Sequence, residues 1–239
     1  MIRTRIFHLI LAVTAFTTLT QTASAAQSCA DPALRLMPQV PAMVTVTLTA
    51  PCHPLDSVTI VHSGLRFSAL TDDQGQLTLA LPALSTPAQV DMTLTDGTRL
   101  TASAPVADLA DVARLALVPV GLPGLHLRAA RPGTSPPISS TDPGQPNLAT
   151  GGFLTLLGDP TAGPQAELLT LPVATGTSPA RLLAAVDAAN CGHDLLAMTF
   201  RLQPDGTLAA GALTLAMPAC TAPGKQIDIA IDSLPAPAP

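Results

Sequence analysis

Leu77-Thr-Leu-Ala-Leu-Pro-Ala-Leu-Ser-Thr-Pro-Ala-Gln-Val-Asp-Met-Thr-Leu94 is the stretch on which the fold turns, because the chain contains it twice. The second copy, Leu213–Ile231, reads LTLAMPACTAPGKQIDIAI, with one residue more between its arms. Apolar residues alternate in each arm: Leu77, Leu79 and Leu81, then Val90, Met92 and Leu94. That period of two belongs to half-buried strands. Pro82 and Pro218 close the first arms, since proline cannot donate to a strand ladder. Each copy therefore reads as a strand, a corner and a second strand, and the chain as a distant duplication of one β unit.

Outward from this repeat the same texture continues. Met43–Leu48 (MVTVTL) puts Val44, Val46 and Leu48 on one face and threonines on the other. Leu34–Leu36 reads as a short edge strand, and Val58–His62 and Leu65–Leu70 as strands flanking a Ser63-Gly64 turn. Asp72-Asp73-Gln74-Gly75 reads as a hairpin loop and Asp96-Gly97 as a tight turn before Thr98–Ala102. Val106–Val118 fits a short turn and then a strand, with Gly124–Arg128 the last strand of the first half. Gly152–Leu157, Glu167–Val173 and Leu195–Leu202 supply strands to the second half, with a turn at Pro204-Asp205-Gly206. Ser178–Asn190 (SPARLLAAVDAAN) predicts one short helix, from a serine cap, Pro179 in the first turn and Asn190-Cys191-Gly192 as a stop. A buried strand is the competing reading.

Composition agrees with a β protein built from small aliphatics. Hydrophobic residues make up 47% of the chain, yet there is no Trp, no Tyr and only five Phe, while 25 prolines cut it into short segments. The expected fold is mainly β: two small, disulfide-stapled, β-sandwich-like modules over 26–130 and 148–235. Residues 131–147 (RPGTSPPISSTDPGQPN) form a Pro/Gly/Ser linker between them, and 236–239 a Pro/Ala tail.

Residues 1–25 read as a signal peptide. Arg3 and Arg5 precede an apolar run at Ile6–Phe16, and Ala23-Ser24-Ala25 offers a cleavage site after Ala25. The expected location is the periplasm or the outside of the cell, with no transmembrane segment after cleavage. The mature chain then carries 9 basic and 16 acidic groups, a net charge of −7 with histidines neutral. A mildly acidic surface without a basic stripe argues against nucleic acid.

In an oxidising compartment Cys29, Cys52, Cys191 and Cys220 have disulfides as their default fate. Four cysteines allow three pairings, among which spacing alone does not choose. The duplication favours one bridge per half, Cys29–Cys52 and Cys191–Cys220. No spacing of the Cys-x-x-Cys kind points to a metal.

No motif carries chemistry. There is no Gly-x-Ser-x-Gly elbow, phosphate loop or His-Glu-x-x-His, and Glu167 is the sole Glu. His62-Ser63 sits in a strand end, where neighbouring side chains diverge. His193-Asp194 beside Cys191 is the densest polar cluster, without metal-ligand spacing. Catalytic, cofactor and metal residues are therefore all expected to be none, unless His62, His126 and His193 converge in the fold.

Several stretches together carry a resemblance: Ala50-Pro51-Cys52, His62-Ser63-Gly64-Leu65, Gly151–Pro160 (GGFLTLLGDP), Asn190-Cys191-Gly192 and Met217-Pro218-Ala219-Cys220. In these the chain resembles uncharacterised secreted alphaproteobacterial proteins, some of them labelled "translocase". The resemblance implies an exported, β-rich protein of unknown activity. The label itself has no counterpart in the residues, which include neither a nucleotide loop nor membrane spans. The function expected is non-catalytic: binding a protein partner in the cell envelope. An exported hydrolase, or a metal or small-ligand carrier, is the alternative.

Overall fold

A computed structural model describes residues 29–131, 136–173, 180–203, 205–221 and 223–231. The expected signal segment and the Pro/Ala tail lie outside the described residues. Among the described residues fifteen strands run in chain order: β1 Ala33–Gln39, β2 Met43–Thr49, β3 Ser57–His62, β4 Leu65–Leu70, β5 Gln76–Pro82, β6 Ala88–Thr93, β7 Arg99–Ala104, β8 Val112–Val120, β9 Leu125–Ala129, β10 Phe153–Leu157, β11 Ala166–Pro172, β12 Ala180–Ala185, β13 Asp194–Leu202, β14 Leu208–Ala216 and β15 Gln226–Ala230. They pair antiparallel in four sheets, ordered β1-β2-β5, β4-β3-β6-β7, β10-β11-β8-β13-β14 and β15-β12-β9.

The first two sheets face each other as one sandwich. Val44, Val46 and Leu48 on β2 meet Val58, Ile60, Phe67, Val90 and Met92 across a core that excludes water. The five-stranded sheet and β15-β12-β9 form the second, around Leu117, Leu125, Leu127, Leu169, Leu182 and Leu195. One disulfide staples each: Cys29–Cys52 with its Cα atoms 5.7 Å apart, and Cys191–Cys220 at 4.9 Å.

Both repeat copies make the same move. The first leaves the outer strand β5, turns at Pro82 and enters β6 in the facing sheet. The second leaves β14, turns after Met217 and enters β15. Each is an arch that spans a sandwich. Asp72–Gly75 is also an arch and not a hairpin, because β4 and β5 belong to different sheets. Asp72 Oδ1 accepts the Gln74 and Gln76 amides there, and Gly75 has a φ of 72° with its Cα against the Ala50 carbonyl.

Sheet membership corrects the division at 130/131. β8 pairs with β11 and β13, and β9 with β12, so both belong to the second sandwich and the change of module falls between β7 and β8. The sequence hid this because strand partners are set by contacts far along the chain. Part of the expected linker is also structured: Ile138 is buried, bridges to Ala129 and joins the second core, while Arg131 pairs with Asp142 at 3.0 Å.

The short helix is corrected as well. Residues 180–185 are strand β12, with Leu182 and Ala184 buried in alternation, while Ser178 and Pro179 lie outside the described residues. Leu182, Leu183 and Val186 fit either period. Two flanking strands, β9 and β15, offer ladders to this segment and decide it.

The two sandwiches share a wall. On β8, Val112, Ala116 and Val118 pack into the first core, and Leu115 and Leu117 into the second. Leu168, Phe200 and Leu202 join the first core from β11 and β13. At the outer side of β4, Ser68 donates to the Pro164 carbonyl at 2.9 Å and accepts from the Asp159 amide at 2.7 Å. The second unit thus covers the side of the first on which β4 and β5 would otherwise present open edges.

Candidate functional site

Among the described residues the histidines do not converge. His53 lies on the surface loop after β2, 3.0 Å from Asp56 and 3.6 Å from Asp96. His193 is exposed in the turn before β13, where its carbonyl accepts the Met217 amide. Among the described residues no three His, Cys, Asp or Glu side chains gather as an ion's ligands would. The arrangement that would have united His62, His126 and His193 is absent from them.

His62 has a structural post instead. It is completely buried, Nδ1 donates to the Gln89 carbonyl at 2.7 Å, and Nε2 accepts the Leu84 amide at 2.8 Å. Both partners belong to the corner of the first repeat copy, so this imidazole ties the two ends of that corner together. Burial holds its pKa below the ordinary 6.5, and the nearby Arg114 charge adds to this. A histidine lowered in the fold takes up its proton more readily when unfolded. Its contribution is therefore full above pH 6.5 and is lost as pH falls below that toward the folded-state value. Urea unfolding is expected to show a lower midpoint at about pH 5 than at about pH 7.5. In His62→Gln that pH-dependent loss should shrink, on a baseline already lowered by about 1–2 kcal/mol.

Arg114 braces the same corner from β8. Its guanidinium donates to the carbonyls of Ala83 and Pro41 (the latter at 3.2 Å), and Nε donates to Thr170 Oγ1 at 3.3 Å. Burial pulls its pKa down to about 9. Asp108, whose carboxylate accepts the Ala42 amide at 2.7 Å, supplies the opposing charge. These bonds tie β8 and the loop before it to the corner, to the β1–β2 turn and to β11.

A different pair sits at the surface, with His126 half-exposed and Glu167 buried beneath it. His126 on β9 directs Nδ1 to Glu167 Oε1 at 2.6 Å, and Glu167 Oε2 accepts the Leu127 amide at 2.6 Å. The hydrogen bond that His126 donates to Glu167 raises the His126 pKa against the effect of partial burial. The imidazole is 48% exposed and borders a cleft of about 360 Å³ with Ser140, Gln165, Pro119 and Leu156. Sequence reasoning missed this pair. The signal was a lone Glu inside an otherwise apolar strand.

The third feature is an edge. β14 (LAAGALTLA) pairs on one side with β13 and, among the described residues, with no strand on the other. The Gln203 amide bonds to the Thr207 carbonyl below its start, and the Met217 amide to the His193 carbonyl past its end. In an antiparallel ladder these bonds recur every second residue. Odd-numbered residues of β14 therefore bond to β13. Leu208, Ala210, Ala212, Thr214 and Ala216 send their amides and carbonyls outward.

Edge strands usually carry a charge, a proline or a cover. β1 has Arg35 and Pro38, β4 Arg66, β7 Arg99, β9 Arg128 and β15 Asp228. β5 and β10 lie against one another where the two sandwiches meet. β14, nine residues long, has none of these devices among the described residues. Beside it on the same face, Val120, Leu196 and Met198 are 49%, 44% and 37% exposed. Leu196 is the cross-strand partner of both Val120 and Thr214, and Met198 that of Ala212. The open edge and the apolar patch form one continuous surface.

Compared with protein-family models, curated proteins and solved structures, the chain matches none of them.

Proposed function

We propose that this chain is an exported, non-catalytic β-sandwich protein of the periplasm or cell surface, acting by binding a protein partner in the cell envelope. The observation that carries the reading is β14: an uncharged edge with five residues' backbone groups turned outward, flanked by Val120, Leu196 and Met198. A strand laid along it would gain main-chain hydrogen bonds, while its side chains met the apolar patch. The two disulfides, and the signal-like residues 1–25, support the exported location.

A photo-reactive residue at Ala212, in cells, is expected to cross-link one dominant envelope protein, against background only from Thr101 on β7. Adding Thr214→Lys should reduce that product several-fold, because a charge on the edge disfavours pairing. Equal, diffuse products from both positions would overturn the reading.

The His126–Glu167 pair favours a second reading, an exported acyl hydrolase. A carboxylate fixing Nδ1 leaves Nε2 to serve as a base, with Ser140 in the same cleft as nucleophile. Labelling by a fluorophosphonate, lost in Ser140→Ala and in His126→Ala, would support it. No labelling of the intact protein would remove it.

A further inference from the structure

The partner chemistry can be taken one step further, on the premise that β14 is the docking edge. We infer that the strand β14 receives is β14 of a second copy, in an antiparallel pairing centred on Ala212. Three observations lead there.

The first is hydrogen-bond parity. Two-fold pairing about residue 212 sets Leu208 opposite Ala216 of the second copy, Ala210 opposite Thr214, and Ala212 opposite itself. All of these are outward-bonding residues, so each meets another with free amide and carbonyl, as a hydrogen-bonded antiparallel pair requires. A centre between two residues would set outward-bonding residues against inward-bonding ones. Centring on 212 also engages the whole strand.

The second is size. On the face toward the second core the strand reads Ala209, Gly211, Leu213, Leu215. The two-fold sets Leu213 against Gly211 of the other copy and Leu215 against Ala209. On the opposite face Leu208 meets Ala216. Every leucine of the strand faces a small residue, whereas centring on 213 would set Leu213 against Leu213. The third is charge. The strand has none, so nothing in it repels an identical copy. Such an interface is self-complementary, as a two-fold contact must be. It would join two five-stranded sheets into one of ten strands.

Single cysteine substitutions test the pairing and its register together, in the oxidised full-length mature protein. At residue 212 the two copies' Cα atoms would lie about 5.5 Å apart, within disulfide reach. At residue 214 they would be offset by four residues, about 14 Å along the strands, and beyond it. Ala212→Cys is expected to give a covalent dimer under mild oxidation, and Thr214→Cys not to. Sedimentation equilibrium of the wild type should give twice the chain mass, reduced to the monomer mass by Ala212→Lys, which sets two charges together on the axis. Circular dichroism confirms that each variant is folded.

A wild type that stays monomeric, with no covalent dimer from Ala212→Cys, overturns self-pairing. A dimer trapped by Thr214→Cys but not by Ala212→Cys overturns this register. If the monomer still cross-links an envelope protein through residue 212, the broader docking reading survives the loss of self-pairing. If it cross-links nothing, both fall.

Discussion

Replacing Arg114 with alanine is expected to lower the unfolding free energy by about 3–4 kcal/mol, the larger of the two main effects foreseen for this fold. Opposing terms decide the figure. Removing the side chain relieves a guanidinium that burial has already pulled down to about 9. That gain would prevail if its partners could leave with it, as in buried ion pairs replaced whole by apolar residues. They cannot, because the acceptors are the backbone carbonyls of Ala83 and Pro41. Each orphaned carbonyl costs about 1–3 kcal/mol, and the vacated volume lies where both cores meet the shared wall. Arg114→Met should cost less than alanine, since it fills the stem's space while leaving the carbonyls bare. Arg114→Lys should recover only part, as one ammonium cannot reproduce the forked geometry. Urea titrations of the three variants check the order. A lysine variant as stable as wild type would show that charge alone holds the corner.

The second large effect concerns Cys191–Cys220, which closes the base of the β13–β14 hairpin across a separation of 29 residues. Loop closure of that length is worth about 3 kcal/mol in the chain-entropy account. Cys191→Ala with Cys220→Ser is expected to lose that much. It should also lose it unevenly, since within its own chain β14 has one ladder where the central strands have two. Hydrogen exchange should quicken first at the amides of Ala209, Gly211, Leu213 and Leu215, which bond to β13, while β8 and β11 keep their protection. Uniform loss of protection would mean that the staple acts on the whole fold and not on the edge it adjoins.

Much of this architecture was legible in the residues. MVTVTL and the arms of the repeat declared themselves by alternation, and turn residues such as Ser63-Gly64 and Asp96-Gly97 placed the hairpins at β3–β4 and β6–β7. Misreadings share one cause. SPARLLAAV has a helix's opening residues, and only ladders to β9 and β15, some fifty residues distant on either side, make it a strand. Residues 112–129 lie next to the first sandwich in sequence, yet their partners come later. An Asp-Gly loop looks alike whether it joins neighbours in one sheet or spans two.

Chemistry was harder to read than fold. His62 resembled a polar strand end. Its buried role depends on the amide of Leu84 and the carbonyl of Gln89, which no side-chain pattern announces. His126 and Glu167 stand 41 residues apart and meet because β9 and β11 lie in facing sheets. The bareness of β14 was visible in LAAGALTLA. That the bareness lies at an edge was not.

The shared wall also imposes an order of events on the emergence of an exported chain. Crossing a membrane from its N-terminus, the chain delivers the first seven strands before β8, β10, β11 and β13 arrive to cover them. Between β5 and the end of β13, Pro82 and Leu202 are 120 residues apart. Until that stretch has followed, the first sandwich has one flank wet, at β4 and β5. A holding chaperone would find its grip there, on the very surface that the finished protein conceals.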